Sequence, residues 1–157
     1  MVRKIFKVLF HFIIAIFIMM FLIAAHSSSL NLLWLSSMNM PVTVSTIIDV
    51  FYGDFTGLLF GGAFPVPVLI AVICFILFLL TGILSRWMHF SPVFMYAMSG
   101  AAAFLVVTVV LPLGFNNIDL IANARTGIGK SLLCLFGGAA GAYFGFFVER
   151  SKDDEQM

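Results

Sequence analysis

Residues 130–149 read KSLLCLFGGAAGAYFGFFVE, and the fold turns on them. Residues 131–148, between the two charges, are all uncharged. At about 1.5 Å per residue they reach about 27 Å, close to the roughly 30 Å hydrocarbon core of a bilayer. Gly137, Gly141 and Gly145 recur every fourth residue, and Gly138 with Ala142 makes a second pair at that interval. On a helix with 100° between residues, Lys130, Ser131, Cys134, Gly137, Gly138, Gly141, Ala142 and Gly145 share one side. Leu132, Leu133, Leu135, Phe136, Tyr143, Phe144, Phe146 and Phe147 share the other. Helices in lipid gain nothing by hiding leucine from leucine. They associate where small residues let backbones approach. The stretch therefore predicts a membrane-spanning helix with a smooth contact face and a bulky lipid face. Gly141→Leu is expected to disrupt packing, and Phe144→Leu on the opposite face to be mild.

Composition sets the class. The 157 residues are 62% hydrophobic and 10% charged, with a mean hydropathy of +1.16. A soluble domain carries about 25% charged residues, so this chain lacks the polar groups to cover itself in water. The expectation is a single all-α integral membrane domain. A net charge of +1 gives no nucleic-acid signal. Cys74 and Cys134 lie inside apolar runs without a Cys-x-x-Cys pair, so they read as packing residues.

The rest of the chain supplies three more spans. Arg3, Lys4 and Lys7 precede an apolar run from Val8 to Ala25, broken only by His11. That run exceeds the roughly 7–15 residues of a signal-peptide core, which favours a retained first helix over 8–25. Residues 26–63 form an outer loop. Trp34 suits a membrane–water boundary. After Pro41, the positions Val44, Ile47, Ile48, Phe51 and Tyr52 recur at helical spacing, which predicts a short interfacial helix. The glycines at 53, 57, 61 and 62 are expected to break regular structure. A second span covers 64–84, with Pro65 and Pro67 in its first turn. The inner link 85–92 holds Arg86 and His89. Ser91-Pro92 then forms a cap for a third span over 93–113 that ends at Pro112. A polar outer loop, 114–130, leads to the fourth span, 131–148, and to a cytoplasmic tail, 149–157.

Counting Lys and Arg orients the bundle. With the N-terminus inside, Arg3, Lys4, Lys7, Arg86, Arg150 and Lys152 lie on the inner side, and Arg125 and Lys130 on the outer side. This bias predicts both termini in the cytoplasm of a plasma (inner) membrane. The third span carries Ser99-Gly100-Ala101-Ala102-Ala103, and the fourth carries Gly137-Gly138-Ala139-Ala140-Gly141. Ala101 lies about 15 Å of rise from Ser91, and Ala140 about 13.5 Å from Glu149. In an antiparallel pair the two patches sit at nearly the same depth and should meet.

Motifs for chemistry are weak. Ala124 to Ser131, ARTGIGKS, loosely fits a phosphate-binding loop, but no strand precedes it and a spanning helix follows. It reads as a glycine-containing turn, with Lys130 reaching to the surface. Asp49, Asp54 and Asp119 share the outer side with Arg125 and Lys130 and form a possible outer-face polar site, most simply ion pairs that anchor a loop. His11 and His89 are the only histidines that could approach one depth for haem, and they read better as helix-end residues. The spans contain no Asp, Glu, Lys or Arg well inside, which removes the usual parts of proton relays and voltage sensors. No catalytic set, cofactor site or metal site is expected. The reading is a non-enzymatic membrane protein acting by helix–helix contact, as an accessory or scaffolding subunit or a homo-oligomer. Its docking surface would be Gly100, Ala103, Gly137, Gly138, Gly141, Ala142 and Gly145, and its partners the bilayer and another membrane protein or itself. A small solute transporter or channel subunit is the alternative. A ligand-binding or enzymatic role at the outer face is the third.

Overall fold

A computed structural model describes residues 2–61, 66–88, 90–114 and 122–153. The described residues are almost wholly helical and contain no strand. Five helices organise the chain: α1 (Val2–Ser37), α2 (Val44–Phe60), α3 (Val66–Leu84), α4 (Pro92–Gly114, including a π turn) and α5 (Gly127–Asp153). All except α2 are long and apolar enough to cross a bilayer. This is the architecture of a membrane protein with four candidate spans.

The first helix does not stop at Ala25. It runs on to Ser37, 36 residues in all, or about 54 Å. The serines that suggested a loop keep the helix going. Ser29 Oγ donates to the Ala25 carbonyl at 2.7 Å, and Ser28 is buried. Hydroxyls that bond to their own helix substitute for water and need no break in the ladder. Asn39, at a left-handed φ of 55°, ends the helix instead, with Met40 N–H bonded to Leu35 O.

α2 is also longer than expected. Thr43 caps its start by accepting from Thr46 N–H at 3.3 Å, and Gly61 closes its end with N–H to Gly57 O at 2.7 Å. Gly53 and Gly57, expected to break it, lie on its exposed side, where an added Cβ would meet nothing within 4 Å. Phe51 and Phe55 turn inward, with ring centroids 5.4 Å from Phe21 and 5.9 Å from Phe17.

The spans bury stripes at four-residue intervals. α1 buries Ala15, Met19 and Ile23; α3 buries Val66, Ile70, Cys74 and Phe78. α4 buries Tyr96, Gly100 and Phe104, flanked by Ser99, Ala103 and Val107. Ser91 caps α4 through Phe94 N–H at 3.3 Å, and Pro92 occupies its first turn. Pro112 falls in the last described turn of this helix, as expected, two residues past a π turn at Val106–Val110. Proline offers no N–H to the carbonyl one turn back, and the ladder widens just before it, with Leu111 N–H bonded to Val106 O. α5 starts four residues earlier than expected because Thr126 accepts from Gly129 N–H at 3.0 Å. The ARTGIGKS segment is thus a 3₁₀ turn, Ala122–Arg125, followed by a helix cap.

Candidate functional site

α4 and α5 are joined backbone to backbone. A Cβ added at Gly137 would fall on the Gly100 carbonyl, and one at Gly141 on the Tyr96 carbonyl. At Gly145 it would lie 2.8 Å from Pro92 O and from Val93 Cα. Each step of four along α5 meets a step of four back along α4, which is antiparallel packing in register. Ala103 is buried beside this seam. Gly138 sits at its edge, where an added Cβ would stand 3.6 Å from Ala97 O, and Ala142 is half-buried. The smooth face of α5 is therefore covered by the chain's own α4 and is not a free surface.

The bulky face of α5 is not uniformly outward either. Leu133 is fully buried, and Phe144 is 4% exposed. Phe144 stacks on Phe78 at 5.0 Å and meets Tyr96 and Phe12 edge-on at 5.2 and 6.2 Å. This corrects the expectation that Phe144 faces lipid. α5 is contacted by both α4 and α1. A two-faced helical wheel has no place for a second neighbour.

Of the expected outer polar residues, Asp54 lies in a built contact. Its carboxylate accepts from Ser28 Oγ at 2.9 Å and from Asn31 Nδ2 at 3.0 and 3.1 Å, which ties α2 to α1. Asp49 accepts from Ser45 Oγ at 3.2 Å on the exposed side of α2. These partners are hydroxyls and an amide, where Arg125 or Lys130 was expected. Arg125 is exposed, Lys130 is half-buried, and Asp119 lies outside the described residues. His11 Nδ1 is 2.9 Å from Tyr143 Oη, and its ring stacks on Phe147 at 3.3 Å, so it joins α1 to α5. His89 lies outside the described residues.

The sites that sequence reasoning missed flank α3. Its buried stripe steps from Val66 through Ile70 and Cys74 to Phe78, and the next step lands on Gly82. With no side chain there, the stripe stops short of its neighbours. The Tyr96 hydroxyl faces the gap, 3.2 Å from where a Gly82 Cβ would be. Between α3 and α1 a cleft of about 590 Å³ opens, floored by Phe144 and Tyr96 and walled by Phe12 and Leu79. Arg86 stands at its end. On the other side of α3, against α4, lies a groove of about 450 Å³. Met88, Met95 and Met98 line it together with Thr81 and Ser99. Ser99 Oγ is buried there and has no hydrogen-bond partner. The signal for the cleft was the glycine in the fifth position of a stripe with four-residue spacing, and Gly82 does not line the groove.

No protein family matches this chain, and no curated protein or solved structure is significantly similar to it.

Proposed function

We propose that this is a non-enzymatic membrane protein that works by helix–helix contact, as an accessory or scaffolding subunit, and that its contact surface is the groove between α3 and α4. The glycine stripe, the surface first expected to dock a partner, is occupied by α4. The observation that carries the new assignment is the Ser99 hydroxyl, buried in the groove without a partner. In hydrocarbon an unpaired hydroxyl is unfavourable by a few kcal/mol, roughly 1–3 on protein-derived scales. An acyl chain cannot relieve that. A transmembrane helix with a Ser, Thr, Asn or Gln at this depth can, once the Ser99 hydroxyl, closed off in the lone chain, rotates toward the groove. The three methionines suit the role, because an unbranched thioether chain adapts its shape to an incoming surface. The occupant is thus one apolar helix of another membrane protein, with a polar side chain opposite Ser99. The positive-inside bias puts this groove in the cytoplasmic half of a plasma (inner) membrane.

A solute path has less support. Among the described residues the other buried serine and threonine hydroxyls of the spans are paired: Thr108 donates to Phe104 O within its own helix at 2.7 Å, and Ser28 donates to Asp54 at 2.9 Å.

The test is site-specific photocrosslinking in native membranes. A photoreactive residue at Met98, at the groove, is compared with one at Leu135, equally outward on α5. A discrete adduct from position 98 that is absent from 135, and whose yield drops severalfold with Ser99→Ala, is expected. Mass spectrometry of the adduct names the partner, and an adduct of twice the chain's mass would make it a second copy. Identical smears from both positions, or a yield indifferent to Ser99→Ala, would remove the groove from consideration.

A further inference from the structure

We infer that the cleft between α1 and α3 holds one acyl chain of an anionic glycerophospholipid, with its phosphate against Arg86. This site is separate from the α3–α4 groove and does not depend on the function proposed for it.

Depth argues for a lipid from one leaflet. The cleft follows α3 from Phe75 to Arg86, about 16 Å of helical rise. That is half of a roughly 30 Å hydrocarbon core. Its volume of about 590 Å³ falls within the range of about 300–1,000 Å³ that encloses small ligands. The lining side chains are apolar apart from Arg86 and the Tyr96 hydroxyl. Phe12, Phe75, Phe78 and Leu79 offer a hydrocarbon chain continuous carbon contact.

Charge argues for an anionic headgroup. Arg86 lies just beyond the last residue of α3, at the end of the cleft where that leaflet's headgroups sit. Lys7 precedes the lining residue Val8 and is exposed at the same end. A guanidinium binds a phosphate in two-point fashion, and a second cation nearby adds long-range attraction. Among the described residues no carboxylate lines the cleft. A bare partner helix would fill the trough but would leave the arginine without a matching anion.

Gly82 is the residue that makes the site. It removes one side chain from the buried stripe of α3 and lets the Tyr96 hydroxyl lie over the gap.

Lipid retention on the full chain tests the assignment. The protein is reconstituted into vesicles of equal parts phosphatidylglycerol and phosphatidylcholine, extracted in mild detergent and weighed by native mass spectrometry. Wild type should keep one phosphatidylglycerol at least fivefold over phosphatidylcholine. Arg86→Gln should bring that ratio close to one. Leu79→Trp, which fills the cleft from a half-exposed position, should remove both lipids while leaving the helical circular-dichroism signal and the elution volume unchanged. Gly82→Leu, three residues further along the same helix, is a second block. No retained lipid on wild type, equal retention of the two lipids, or retention that survives Leu79→Trp and Gly82→Leu would overturn the proposal. So would a polypeptide adduct that Leu79→Trp displaces.

Discussion

Gly141 and Gly138 are neighbours in composition and opposites in environment. A methyl group at 141 would coincide with the Tyr96 carbonyl, whereas one at 138 would reach ordinary contact distance from Ala97 O. Gly141→Ala should therefore lower stability by about 1–3 kcal/mol, the usual range for overpacking. Gly138→Ala should change little. Thermal unfolding in detergent separates them, and equal midpoints would contradict the seam. Phe144 reverses its expected role. Truncation of a buried phenylalanine ordinarily loses about 3–5 kcal/mol, part of it transfer from water. Lipid supplies no such transfer term, so Phe144→Ala should lose about 2 kcal/mol through the cavity alone. Phe146→Ala, at a position 59% exposed, should lose much less in the same unfolding measurement. A Phe146 variant as damaged as the Phe144 one would mean that the aromatic cluster is not what holds α5. The stripe of glycines was legible in the chain. The burial of Phe144 was not, because a helical wheel shows which residues share a side and not how many neighbours surround the helix.

At the scale of the element, the hairpin of α1 and α2 departs furthest from sequence expectation. Ser27-Ser28-Ser29 reads as a loop when each serine needs water. Here Ser29 bonds to Ala25 O and Ser28 bonds to Asp54, so the helix continues. Among the described residues the Asp54 carboxylate is held by two groups on α1, Ser28 and Asn31. Asp54→Ala should free α2 without unfolding the spans. Spin labels at Trp34 and Val50, which face each other across a shallow notch beside Asp54, should show a narrow distance distribution in the parent and a broad one in the variant. An unchanged distribution would show that Phe51 and Phe55 suffice to fix α2. The π turn before Pro112 follows the same logic at smaller cost: a missing N–H is absorbed by re-registering one turn. The cap at Ser91 was recognisable from local residue types. The joint between α1 and α2 was not, since it needs partners 23 and 26 positions apart.

For the whole molecule, contacts bring Val8, Arg86, Pro92 and Phe144 to one end of the bundle, and His26 and Phe136 toward the other. Lys7, Arg86 and Arg150 lie at the first end, and Arg125 and Lys130 at the other. Both termini should then be cytoplasmic. Single cysteines placed at Arg125 and at Lys152 test this with an impermeant maleimide. Label at 125 in intact cells, and at 152 only after permeabilisation, is the expected pattern. The reverse pattern would invert the leaflet assigned to the acyl-chain cleft. Packing within the bundle is uneven. α4 and α5 meet along their backbones, while α3 stands off, with an opening on each of its flanks. The proposed contact groove and the proposed lipid cleft both lie against α3 for that reason.

The amino-acid sequence alone determined that the chain is helical and carries four segments able to cross a bilayer. Apolar length and charge spacing act segment by segment, and each residue's preference for hydrocarbon or water is a local quantity. It also placed the small patches of α4 and α5 at one depth, because rise per residue is fixed. Only the tertiary structure decided which faces are covered. Inside a bilayer a phenylalanine is nearly as stable against lipid as against protein, so hydrophobicity does not choose its side. Fit between neighbouring backbones makes that choice, and it places Phe144 at the centre, closes the glycine face and leaves a gap at Gly82.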